Sequence, residues 1–270
     1  MSGEESVIAA ATPAVSVPQV AGGRLYPDLW PYEARTGWRP WPAVAIVVLI
    51  MAVSLAIGFG LSLGLGFGRA RDLGSKSNAA ALMAMLVAQV CMVAGALIAA
   101  QLRGGGIISA LALKAPVGGF GSYVRGFALL ALAVGAFTVL TNVVLGQDAG
   151  QDLAEFSGLF RGPWWLLALF VVGVGAPLSE ELLFRGFLQT ALVPTRLGYW
   201  GATLVTTSIW AALHAGYSVA GLIEVFLIGL VFAWILRRTG SLRVTIVCHA
   251  VYNSALALMV AFVPAEILGF

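Results

Sequence analysis

The sequence predicts an all-α fold: a polytopic membrane bundle of seven or eight transmembrane segments. Three observations carry this. Of the 270 residues, 60% are hydrophobic and only 10% are charged, whereas a soluble domain carries roughly 25% charged residues. Mean hydropathy is +0.95. The apolar residues gather into runs at 43–67, 79–102, 123–145, 164–193, 200–213, 219–236 and 244–263, most of them close to the roughly 20 residues that a membrane helix needs. Lipid leaves only helices and closed barrels to satisfy the backbone. The runs lack period-2 alternation, so they read as helices.

Residues 1–40 hold Glu4, Glu5, Pro13 and Pro18 and open without a basic stretch. They are expected to be a disordered and interfacial tail rather than a signal peptide. Its end, "YPDLWPYEARTGWRPWP" at 26–42, is rich in the Trp and Tyr that favour the membrane interface. Residues 41–270 then form a single transmembrane domain. The first three runs carry no motif, although Gly64 and Gly68 stand at a spacing that lets helices approach closely.

The fourth run decides between seven and eight segments. Thirty residues would make a helix of about 45 Å, too long for one upright span. Pro177 suits the first turn of a new helix. A short segment at 164–176 followed by a fresh helix from Pro177 is therefore expected, with Ser179 satisfying a free N–H near its start. No internal repeat is visible.

Charge says less. A net charge of +3, scattered along the chain, excludes a nucleic-acid interface. The loops with Arg69, Arg71 and Lys76, with Arg103 and Lys114, and with Arg237, Arg238 and Arg243 are basic. The loop at 147–162 is acidic, with Asp148, Asp152 and Glu155. Consecutive basic loops break the alternation that the positive-inside rule wants, and a cytoplasmic N-terminus is slightly favoured. Cys91 and Cys248 both sit in apolar runs, which argues against a disulfide framework. Oligomeric state is not legible.

Charged groups at membrane depth are rare and are functional candidates by default. Within or beside the runs these are Glu180, Glu181, Arg185, His214, Glu224 and His249, with Asn142 and Asn253 as polar neutrals. Glu181 and Arg185 stand four apart with the acid first, the favourable order for a helical ion pair. Glu180 is turned about 100° from Glu181 and has no base three or four residues on, so its partner must come from another helix. His249 and Asn253 share a helix face. A buried histidine is more often a satisfied core residue than a catalyst. Here, though, a carboxylate, two imidazoles and an amide could converge from three helices. Glu180 and His214 at similar depth would have the geometry of a water activator. Glu224 lies one turn into its run and reads as interfacial. Cys248 adjoins His249 but cannot share its face.

The motifs resemble a known family. "EELLFR" at 180–185 fits the EExxxR motif of the CPBP family, the type II CAAX prenyl endopeptidases and bacteriocin-processing or self-immunity (Abi) proteins. "WAALH" at 210–214 is similar to that family's second motif, with Trp where Phe is common. The stretch at 224–253 resembles its third block and ends in His-x-x-x-Asn. The resemblance covers about 164–262. It implies an intramembrane endopeptidase acting on a membrane-associated or lipidated peptide or protein, in a bacterial inner membrane. Glu180 and His214 would activate water, and His249 and Asn253 would donate to the oxyanion. Glu181 and Arg185 would fix the helix start and position substrate. Glu180, His214 and His249 could also hold zinc, but there is no HExxH helix, and a mechanism without a cofactor is favoured. A non-proteolytic immunity or scaffold protein and a proton-coupled transporter remain as alternatives.

Overall fold

The structure, a computed structural model, describes residues 31–64, 75–103, 105–144, 146 and 151–268. Arg69, Arg71, Asp148, Gly68 and the first thirty residues of the expected tail lie outside the described residues. Among the described residues there are helices and no strands. Seven main helices form the bundle. They are α1 (Pro40–Gly64), α2 (Ser75–Arg103), α3 (Phe120–Val139), α4 (Trp165–Leu192), α5 (Gly198–Ala212), α6 (Val219–Thr239) and α7 (Leu242–Phe262). Large apolar side chains such as Leu49, Leu55, Phe59 and Leu132 cover the outside, as expected where the solvent is lipid. The chain is an integral, multi-pass membrane protein.

Six of these helices are long and apolar enough to span a membrane, which corrects the expected seven or eight. Helix α5 has 15 residues and is about 22 Å long, short of the roughly 30 Å hydrocarbon core. The other loss is the break at Pro177, which does not occur. Helix α4 runs through it as one span of 28 residues. The proline is absorbed by a widened turn at Val171–Gly175, where the Ala176 N–H reaches back five residues to the Val171 carbonyl. In that register Pro177, which has no N–H, leaves the Val172 carbonyl without a donor. Side chains from neighbouring helices fill in. Asn253 Nδ2 donates to the Val172 carbonyl (3.1 Å), Gln89 Nε2 to that of Val171 (3.1 Å) and Ser254 Oγ to that of Gly173 (3.4 Å). Ser179 therefore does not cap a helix start. Its hydroxyl donates to the Ala176 carbonyl within the same helix.

A second widened stretch, Glu181–Leu188, follows after the ordinary helical turn Ala176–Glu180. All eight of its residues are buried, because α4 is the central helix. It packs against α1, α2, α5 and α7. In its most apolar window 44% of residues are buried, against 17% for α1 and α3. The last two spans are set by their ends. Ser218 caps α6, its hydroxyl accepting from the Gly221 N–H. Gly240, at φ +66°, ends α6 in the left-handed conformation that glycine tolerates. A Cβ at Gly240 would also collide with the Pro31 carbonyl. Residues 31–39, expected to belong to the tail, strap across this end of the bundle. Tyr32 is buried and hydrogen-bonded to Thr190, and the Trp38 indole donates to the Ala99 carbonyl.

Candidate functional site

Helices α4, α5, α6 and α7 enclose one side of a cavity of about 550 Å³. Glu180, His214, His249 and Asn253 all line it, as does Asn142 from the end of α3. The sequence placed these groups on three helices, and the fold brings them to one space.

Glu180 receives the partner from another helix that its lone position required. The Trp210 indole N–H donates to Glu180 Oε2 at 2.7 Å. Trp210 also governs His214, one turn later. His214 Nδ1 stands 3.0 Å from the Trp210 carbonyl. A carbonyl can only accept, so Nδ1 carries the proton and a neutral His214 keeps its lone pair on Nε2. The Trp210 ring is stacked on Arg185, whose Cζ lies 4.0 Å from the ring centroid, and it packs edge-on against His249.

Glu181 and Arg185 form the expected pair, both with fully buried side chains. They sit in the middle of α4 rather than at a helix start. Glu181 Oε1 is 3.2 Å from Arg185 Nη1 and 3.3 Å from His249 Nδ1. No Arg185 N–H is aligned for a hydrogen bond among the described residues, so charge and stacking on Trp210 hold the guanidinium. Glu181 also sets the state of His249. A carboxylate accepts, so His249 Nδ1 is its donor. A neutral His249 would have its one N–H facing Glu181, so donation from Nε2 into the cavity takes a second ring proton. Asn253 has one amide N–H on the Val172 carbonyl, which leaves the other.

The zinc alternative fits poorly. Among the described residues no three His, Cys, Asp or Glu side chains form a group that could hold a metal ion. Glu180 is engaged by Trp210; the histidines alone would not exclude a metal, since an imidazole with Nδ1 on a protein acceptor keeps Nε2 as a ligand. No step is routed through a metal.

Glu224, read from its position as interfacial, lines the cavity instead and accepts from the Tyr252 hydroxyl at 3.1 Å. Tyr217, Tyr252 and Asp152 also line it, and sequence reading missed all three as site residues. Asp152 is held by the Ser218 N–H and hydroxyl. Burial, and then the nearby Glu180 carboxylate, push the Tyr217 phenol up to about 12, so it is a neutral O–H at physiological pH. Cys248 points away, toward the Tyr123 carbonyl.

Comparison with known proteins agrees with the motifs. The type II CAAX prenyl endopeptidase Rce1-like family model matches residues 162–255, the stretch that carries Glu180, His214, His249 and Asn253. Over that stretch the chain is similar to this family. An uncharacterized 24.3 kDa protein of Escherichia coli is 33% identical over 89 residues, which cover 31% of this chain and 40% of that protein. The chain thus matches well under half the length of that curated relative. No solved structure matches. The Rce1-like match takes in α4, α5, α6 and most of α7, and it leaves out α1, α2 and α3, whose Gln89 and Asn142 nevertheless reach the widened turn and the cavity.

Proposed function

We propose that the chain is an intramembrane endopeptidase that hydrolyses a peptide bond by activating water without a metal. The observation that carries this reading is the meeting of Glu180, His214, His249 and Asn253 on one cavity inside a membrane bundle. Water held between the Glu180 carboxylate and His214 Nε2 loses a proton as its oxygen attacks the carbonyl carbon. The oxyanion accepts from His249 Nε2–H and from the free N–H of Asn253. Collapse breaks the C–N bond, and the stored proton passes to the leaving amine. The products are a carboxylic acid and an amine.

With Nδ1–H turned to Glu181, donation from His249 Nε2 takes a proton on each ring nitrogen. Trp210 positions Glu180 and His214 together, and Glu181 orients His249. The substrate is a peptide or protein segment at the membrane, and the surrounding partner is the bilayer.

The test is cleavage in proteoliposomes. Purified enzyme is incubated with membrane-anchored candidate peptides, with and without EDTA, and products are read by mass spectrometry. The reading expects cleavage that persists in chelator and disappears in Glu180→Gln. Cleavage abolished by chelator and restored by zinc would overturn the metal-free mechanism.

A further inference from the structure

We infer that the substrate presents a basic side chain to a cation subsite built from Glu224, Tyr252 and Tyr217. This rests on the proteolytic reading above.

Three carboxylates, those of Asp152, Glu180 and Glu224, line the cavity, and among the described residues no Lys or Arg does. The Arg185 guanidinium is fully buried behind the Trp210 ring.

Glu224 has the features of a receptor for positive charge. Tyr252 fixes its position by donating to Oε1, and among the described residues it has no ion-pair partner. The other two acids have other engagements. Glu180 is held by Trp210, and Asp152 ties Ser218 through both oxygens. Around Glu224 the wall is aromatic, with Tyr217 and Tyr252 both facing the same cavity. Tyrosine faces attract an ammonium or guanidinium group, and a carboxylate among them supplies charge-assisted hydrogen bonds. An apolar remainder, including Val225, Ile228, Leu256 and Met259, suits the aliphatic stem of Lys or Arg.

The experiment uses the full chain in proteoliposomes and a membrane-anchored peptide library. Lys, Gln or Glu is scanned through the positions flanking the cleaved bond. At one position Lys should raise kcat/KM over Gln on the order of 10- to 100-fold, the span of one hydrogen bond to a charged group. Glu there should be the poorest. In Glu224→Gln, which keeps an acceptor for Tyr252, the Lys-to-Gln ratio should fall to about one. Glu224→Lys should invert the order of Lys and Glu. Cleavage indifferent to charge at every position, or a Lys preference that survives both variants, would overturn the inference and leave the protease reading standing. Absence of cleavage of every peptide would overturn both.

Discussion

The indole N–H of Trp210 donates to Glu180 at 2.7 Å while the carbonyl of the same residue receives Nδ1–H of His214. One residue thereby sets the position of the proposed base and the tautomer of its partner. Phe at this position, as is common in similar motifs, would leave only the second function. Trp210→Phe should therefore lower kcat on the order of 10- to 100-fold, the value of one hydrogen bond to a charged group, with KM little changed. Steady-state kinetics on folded protein check this, and equal losses in kcat and 1/KM would point to a packing role.

Glu181→Gln should cost stability as well as loosening the orientation of His249. It leaves the Arg185 guanidinium buried without its counter-charge, a change worth about 3–5 kcal/mol. Thermal unfolding in detergent should show a large drop. Combining it with Arg185→Met should recover much of the loss, because an uncharged pair of similar volume no longer leaves a buried charge. A single variant as stable as the parent would contradict the pairing.

Asn253 has two roles that kinetics can separate. Asn253→Ala removes the bond to the Val172 carbonyl, costing about 1 kcal/mol of stability. It also removes an oxyanion donor, which costs on the order of 100- to 1,000-fold in turnover. Substrate affinity should change little. Asn253→Asp should be slower still, since it places a carboxylate beside the developing anion. Loss of His249 should act on the same step and combine less than additively. Single-turnover rates on monodisperse protein decide the matter, and an unchanged rate would leave Asn253 with the structural bond alone.

Pro177 offers a distant lever on the same group. In the five-residue register of the widened turn, the N–H that Pro177→Ala restores can donate to the Val172 carbonyl and displace Asn253. The variant should fold at least as well as the parent and turn over more slowly, between the parent and Asn253→Ala. Parent-like turnover with a retained Asn253 bond would show that the proline does not hold the amide in place.

Much of this was legible in the residues, and what was not has a physical cause. The ion pair of Glu181 and Arg185 follows from a four-residue spacing, and the isolation of Glu180 already required a partner from another helix. Nothing in the spacing of Trp210 showed that its N–H would be that partner, because the rotation of one helix against another is set by packing. The break expected at Pro177 assumed that a lost N–H ends a helix. Instead the helix widened, Asn253 served the freed Val172 carbonyl, and Gln89 and Ser254 bonded the carbonyls on either side of it. Glu224 read as interfacial because its depth along the chain was visible and its direction was not. That Glu181 would face Nδ1 of His249 was not legible either, because the two residues lie on different helices.

The most direct test of the account is single-turnover cleavage by Glu180→Gln in the presence of chelator. Glutamine keeps an oxygen for the Trp210 N–H but cannot take a proton from water. The variant should fold and melt like the parent, bind the same peptide, and show no cleavage above background. Substantial cleavage by this purified, folded variant would contradict Glu180 as the base.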